Sequence, residues 1–450
     1  MNLPRSWSRC RRMQRALCGI ATLLCGLAIL WIGAALATQA QAPAAAQKDL
    51  AACRAVRVTS LPGTHQFAAD FIETVATDPD PNASDANALW AVTADLSDTV
   101  PYRKRAIYIS KSVDDGATWS PVARISHKYY DAKIGEGLRN GLAVSPGGTD
   151  FVITTQQGAF QVFPQPGSLD AIMKPIWGPR VPSVRPRIVI PKSTGDPVRA
   201  GVVQITADGK RMIVGFGYFD QNPQLFAYHR QVRGDGAKFY GDGHGSRIDG
   251  RGFWIDGRGF WIEDGPLPHL PNDLDIFSME FDNPKLAHPR SLYVGTGDQA
   301  YRLDLHTRRW TEISGVGEDS AIHGMTTVGG LHLAACWGVY NPAGKDAVAR
   351  VTHASFLLHP KKDVVGAKIR AYSIAVDPLR HNREVLTAIT GVYISRDFGQ
   401  TWRRLNQLAE GEFHMAHFNP DGSILVSGMV GTFLVNPFSN ACGPRLQIRH

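Results

Sequence analysis

One eight-residue pattern stands twice in the chain. Ser112, Asp114, Gly116, Thr118 and Trp119 spell Ser-x-Asp-x-Gly-x-Thr-Trp, and Ser395, Asp397, Gly399, Thr401 and Trp402 spell it again. Each copy follows an apolar, β-branched run, Ala106-Ile107-Tyr108-Ile109 in the first case and Val392-Tyr393-Ile394 in the second. Such runs read as short strands. The pattern itself is too compact for a helix and rich in turn formers. A carboxylate there can accept the backbone N–H groups that a tight turn leaves unpaired. The glycine can take positive φ without steric cost, and the tryptophan can bury its ring against the strands. Asp114 and Asp397 are therefore read as structural turn carboxylates, not catalytic acids.

The pattern resembles the Asp box, or BNR repeat. In the families that share it, the box is a hairpin on a β-propeller blade, away from the central active-site face. The resemblance implies an all-β propeller, and the rest of the chain is in keeping with one. No stretch has the periodicity of a long amphipathic helix, and the 45 glycines suit many turns. Seven groups of strand-like runs follow one another: 65–119, 141–162, 202–216, 274–310, 323–358, 373–405 and 413–435. Their spacing of about 40–60 residues is the period of four-stranded blades. Each blade has an apolar face that only its neighbour can cover, so the ring must close. Seven blades are favoured and six stay open, within one domain over 53–450.

Two segments lie outside this pattern. Residues 1–37 hold Arg5, Arg9, Arg11, Arg12 and Arg15 ahead of an uncharged apolar run, 16–37, that ends in Ala35-Leu36-Ala37. This reads as a secretory signal cut after Ala37, or as an uncleaved membrane tether through 16–37. The Ala/Gln-rich stretch 38–52 reads as a flexible linker. Export places the mature chain in a periplasmic or extracellular setting. The whole chain has 48 basic against 40 acidic residues; without the five leader arginines this becomes 43 against 40, a net of +3. So balanced a chain does not call for a nucleic-acid partner. Cys53 and Cys442 bracket the mature domain and are expected to pair, leaving Cys336 a buried thiol; three free thiols are the alternative. Residues 233–265 break the blade pattern, because Ile248–Trp254 repeats at once as Ile255–Trp261. They read as an extended inter-blade loop, or as a protruding hairpin whose Arg and Trp side chains grip a ligand.

No catalytic set is legible. Sialidases, which share the box, place Tyr/Phe-Arg-Ile-Pro before the first copy and use three arginines, a Tyr-Glu nucleophile pair and an acid Asp. The nearest echo here, Arg187-Ile188-Val189-Ile190-Pro191, follows the first copy and has an extra residue. That site is not carried over. Asp131, Glu136, Asp273, Asp275, Glu280 and Glu318 are loop-proximal acids of the kind that a glycosidase would pair, yet no spacing selects two of them. His414 and His417 are three apart on a strand, point to opposite faces, and are not expected to share a metal. The leading ligand-binding candidate is the connection between the first two groups, with Tyr129, Tyr130, Glu136, Arg139 and Asn140 facing the central funnel. The overall expectation is a monomeric, exported, non-catalytic propeller without cofactor or metal, binding an envelope protein or a glycan. A sialidase-like glycoside hydrolase with a divergent site is the alternative, and a carbohydrate-binding propeller the third reading.

Overall fold

The structure, a computed structural model, describes residues 54–62, 72–80, 82, 87–95, 100–126, 141–155, 158–176, 200–216, 223–231, 260–272, 275–297, 299–313, 321–335, 338–342, 351–355, 371–399 and 401–438. Among them there is no α-helix, and the strands assemble in fours. The first blade comprises β2 (Thr74–Thr77), β3 (Leu89–Ala94), β4 (Ala106–Ser112) and β5 (Ser120–Ser126). The second holds β6 (Leu142–Val144), β7 (Phe151–Thr155), β8 (Gly158–Gln165) and β9 (Ser168–Ile176). The third has β10 (Ala200–Ile205), β11 (Arg211–Phe216), β12 (Gln224–Gln231) and β13 (Phe260–Pro266). The fourth has β14 (Ile276–Phe281), β15 (Ser291–Thr296), β16 (Ala300–Asp304) and β17 (Arg309–Glu312). Next come β18 (Ile322–Thr326), β19 (His332–Ala335), β20 (Gly338–Pro342) and β21 (Val351–Ser355). The sixth set is β22 (Ala371–Val376), β23 (Glu384–Ala388), β24 (Gly391–Ser395) and β25 (Arg403–Arg404).

The last set takes strands from both ends of the chain. β26 (Phe413–Phe418), β27 (Ile424–Gly428) and β28 (Gly431–Val435) are completed by β1 (Val56–Arg57), antiparallel to β28. Seven four-stranded sets can thus be counted among the described residues. The first two are also bridged by one parallel contact between β5 and β9, Arg124 to Asp170, with an ion pair of 3.0 Å. The innermost strands neighbour one another in the cycle β2, β6, β10, β14, β18, β22, β26 and back to β2, which is the closed ring of a β-propeller.

The core follows from this ring. No sheet has a hydrophobic centre of its own; each apolar cluster straddles two adjacent sets. Val152 of one set meets Met212 and Val214 of the next, and Leu425 of the last meets Leu89 and Trp119 of the first. Burial of such side chains stabilises by about 1.5–3 kcal/mol each, so a blade alone would expose most of what holds it.

Both Ser-x-Asp-x-Gly-x-Thr-Trp turns have one geometry. Ser112 Oγ donates to Asp114 (2.8 Å) and accepts from the Gly116 amide (2.9 Å). Asp114 also accepts from the amide and hydroxyl of Thr118 (2.9 and 2.6 Å), and Trp119 Nε1 donates to Gly116 O (2.8 Å). Ser395, Asp397, Gly399, Thr401 and Trp402 repeat every one of these bonds. Gly116 and Gly399 have φ of 88° and 73°, as the sequence requires. Trp119 is 5 % exposed, and Trp402 is partly buried against Ala334 and its neighbours in the preceding set.

The stretch 233–265 does not stay a loop throughout. From Phe260 onward the second repeat copy enters β13 and pairs with β12, Phe260 opposite Gln231 and Trp261 opposite Arg230. Its alternating side chains suit a strand, and Trp261 packs on the core cluster between the second and third sets. Residues 233–259 lie outside the described ones. So do the leader, the linker, Cys53, Cys336 and Cys442. Among the described residues no helix is long and apolar enough to cross a membrane.

Candidate functional site at one mouth of the channel

Five of the innermost strands begin with the same irregularity, and in four of them it carries a ring. In β14 the register passes from Ile276–Thr296 to Ser278–Gly295, which leaves Phe277 as an extra residue, a β-bulge. His323 is the extra residue of β18, Tyr372 of β22 and His414 of β26. β10 has the same bulge, with Gly201 in that place. A bulge re-aims its side chain, and here it does so at the start of every strand concerned. The four rings consequently meet across the blade boundaries. Phe277 and His323 have centroids 5.1 Å apart, His323 and Tyr372 5.8 Å, and Tyr372 and His414 4.6 Å.

A carboxylate anchors the end of this arc. The Tyr372 hydroxyl donates to Glu412 Oε1 in a short hydrogen bond, and His414 Nε2 lies 2.9 Å from the same oxygen. Glycines beside the bulges let the backbones approach: Gly428 is opposite Phe413 in β27, and Gly324 of β18 faces Tyr372 across the blade boundary. A Cβ on Gly428 would stand 2.1 Å from Glu412 O, and one on Gly324 2.8 Å from Tyr372 O.

Three residues beyond each bulge lie Gln204, Glu280, Thr326, Ala375 and His417, a second level of the innermost strands. Burial raises Glu280 to about 7, against the Thr327 amide and hydroxyl that donate to it at 3.4 and 3.3 Å. Burial lowers His417 to about 4. Near pH 7, Glu280 is therefore part-protonated and His417 neutral, so this level carries little fixed charge.

Strand order sets the mouth apart from the two repeated turns. The arc lies where the innermost strands begin. The repeated turns join the third and fourth strands of their sets, at the end where the innermost strands finish. Asn419, just past β26, accordingly donates to Asp115 O of the first turn (2.7 Å). Asp114 and Asp397 thus stand away from the mouth, in a structural role.

Of the acids singled out in the sequence, Glu280 lies on the innermost strand β14 and accepts from Thr327 of the next set, and Asp275 is buried just ahead of β14. Asp131, Glu136, Asp273 and Glu318 are outside the described residues, as are Tyr129, Tyr130, Arg139 and Asn140, which belong to the connection between β5 and β6. The expectation for His414 and His417 rested on strict strand alternation, and the bulge at 414 breaks it. His414 joins Glu412 and Tyr372 instead. No cluster of three or more potential metal ligands occurs among the described residues. Phe277, His323, Tyr372 and Glu412 were missed in the sequence, where only the recurrence of an aromatic or imidazole side chain one residue into four of the innermost runs hinted at the rings.

No protein-family model matches the chain, and no curated protein matches it. Solved structures resemble it at low identity. The extracellular domain of the hybrid two-component system BT4673 from B. thetaiotaomicron superposes with a TM-score of 0.47 at 11% identity, over 85% of this chain and 40% of that one. The chain thus spans about two fifths of that domain. YCF48 bound to D1 peptide gives 0.47 at 12%, over 85% and 94%. A chain of the mitotic checkpoint complex gives 0.47 at 10%, over 89% and 98%.

Proposed function

We propose that the chain is an exported Asp-box propeller that acts as a non-catalytic binding or assembly platform in the cell envelope. It engages an envelope protein or a glycan at the channel mouth, as a monomer and without a cofactor. The observation that carries this reading is the continuous wall of Phe277, His323, Tyr372 and His414, presented by one bulge per blade over four successive blades. His323 and Tyr372 are 3 % and 4 % exposed, so the wall meets a ligand through the part-exposed rings of Phe277 and His414, backed by the buried pair and edged by imidazole and carboxylate groups that fix orientation. The repeated turns support membership of the Asp-box propellers, because their conserved-type side chains bond inward to close the hairpin. The charged, then apolar leader supports export.

The test pairs two variants in the full chain. Tyr372→Ala with His414→Ala is expected to weaken capture of envelope proteins or arrayed glycans by about tenfold, the effect of losing two stacking and hydrogen-bonding groups. Asp397→Ala, on the other face, is expected to lower stability and leave capture intact in the folded fraction. Equal capture by wild type and the mouth variant would sink the proposal.

One feature favours a second reading, a sialidase-like glycoside hydrolase with a divergent site. A phenol hydrogen-bonded to a carboxylate, as Tyr372 is to Glu412, has a base in place to take its proton as its oxygen bonds to an anomeric carbon and the glycosidic C–O bond breaks, the leaving oxygen taking a proton from water. Turnover of fluorogenic glycosides that disappears in Tyr372→Phe would establish the hydrolase. No turnover across the panel would leave the platform.

A further inference from the structure

The face that bears the repeated turns holds a cluster of arginines, of which Arg383 has Asp377 as an ion-pair partner among the described residues. Arg383 ends the turn between β22 and β23, and Arg396 lies inside the second repeat. Their guanidinium carbons stand 5.0 and 5.4 Å from the ring centroid of Phe438, a buried side chain that stacks on Phe418 at 5.8 Å. Arg396 gives one N–H to Pro437 O (3.0 Å), and Arg383 lies 3.9 Å from Asp377. Arg380 neighbours Arg383, and Arg403 neighbours Arg396.

The nearby acids are already engaged. Asp397 accepts from Ser395 and twice from Thr401. Asp377 Oδ1 accepts from the amides of Leu379 and Arg380. Glu384 is fully buried, and burial first, then Asp397, pushes it up to about 8, so it adds little charge at neutral pH. Burial, then Arg403, then Arg383 all lower Arg396, with no acid opposing them. Burial and Arg380 likewise lower Arg383, offset in part by Asp377. Guanidinium groups stay charged throughout the physiological range. Two of them, Arg383 half-buried and Arg396 exposed, are thus held over one ring with spare N–H donors, and among the described residues no acid pairs with Arg396. Stacking on an aromatic fixes the guanidinium planes and leaves their edges free for a bidentate acceptor.

We propose that Arg383 and Arg396 form a binding site for a phosphate group, with Phe438 as its floor and Arg380 and Arg403 enlarging the positive field. The site is separate from the channel mouth and does not depend on what binds there. The chemistry is shared by free phosphate and by a phospholipid headgroup.

Calorimetric titration of the full chain with inorganic phosphate tests it. Wild type is expected to bind. Arg383→Gln with Arg396→Gln is expected to weaken binding about tenfold or more, as loss of charge-assisted hydrogen bonds does. Arg309→Gln, an exposed arginine of β17, controls for charge alone and is expected to leave binding unchanged. Should the double variant fail to fold, Arg396→Lys keeps the charge but not the fork, and is expected to weaken binding severalfold. Flotation with vesicles containing phosphatidylglycerol, reversed by free phosphate, would identify a headgroup as the source. Phosphate binding without flotation would identify the soluble anion. No phosphate binding at millimolar concentration, or equal binding by wild type and the arginine variants, overturns the proposal.

Discussion

Glu384 is an acid with almost nothing to balance it. Its two carboxyl oxygens have no hydrogen-bond partner among the described residues, and the His332 imidazole Nδ1 is 3.6 Å away. Burial, then the charge of Asp397, raises it to about 8. An unfolded glutamate loses its proton near pH ~4.3. Between about pH 4 and 8 the folded chain therefore holds more protons than the unfolded one, and stability falls as pH rises through that window. Glu384→Gln keeps the shape and removes the titration. Its denaturation midpoint is expected to lie close to that of wild type at pH 5 and above it at pH 8–9, read from urea melts at both pH values. A gap that stays constant with pH would refute the assignment. Nothing in Arg383-Glu384-Val385 announces this burial, because the strand neighbours Val376 and Ser395 and the His332 ring that surround it lie elsewhere in the sequence. The residues of the repeated turns were legible for the opposite reason. Ser395, Asp397, Gly399, Thr401 and Trp402 bond to one another within one short segment, so the sequence alone contains the whole interaction.

At the scale of strands, legibility followed apolar content. Runs such as Val385–Ala388 and Ile424–Val426 are buried on both faces and read without ambiguity. β9 and β12 were passed over because they lie at the third and fourth places of their sets, where polar residues such as His229 face water. The bulges were invisible for a different reason. The bulge at His414 depends on a small residue in the neighbouring strand, and the sequence does not say which residues are opposed. Gly428 shows the dependence. It is opposite Phe413, and a Cβ there would stand 2.1 Å from Glu412 O and 2.4 Å from Phe413 Cα, atoms of a backbone that cannot turn aside. Gly428→Ala is expected to destabilise by about 1–3 kcal/mol, as overpacking does. It should also displace Glu412 from Tyr372 and so weaken capture at the mouth, whereas Gly167→Ala, with open space around it, should leave capture unchanged. Stability measured by urea and capture measured on the same samples check both halves. Loss of stability with unaltered capture would mean that the bulge does not position the mouth.

The whole ring depends on one join between chain ends. β1 pairs with β28, Val58 N donates to Thr432 O (2.9 Å), and Ile72 N donates to Ser427 Oγ (2.7 Å). Across the same boundary Trp119 packs with Met415 and Leu425, and its amide donates to Ser60 Oγ (3.1 Å). The Val58–Thr432 and Ile72–Ser427 bonds link residues more than 300 positions apart, so the unfolded chain must close a very long loop to make them. Every other boundary is made by neighbours in sequence, and its contacts re-form locally. The join should therefore decide whether the sets unfold together. Trp119→Ala removes a buried ring there and is expected to cost about 3–5 kcal/mol. Trp402→Ala, at an internal boundary and only partly buried, should cost less. Calorimetry distinguishes a loss of stability from a loss of cooperativity. A closed ring predicts one transition for wild type, and a broadened or split transition for Trp119→Ala with a truncation that removes β1. A single sharp transition in that doubly altered chain would mean that the terminal sets hold without the join, and that the stability of the propeller is a sum of neighbouring pairs with no term for closure.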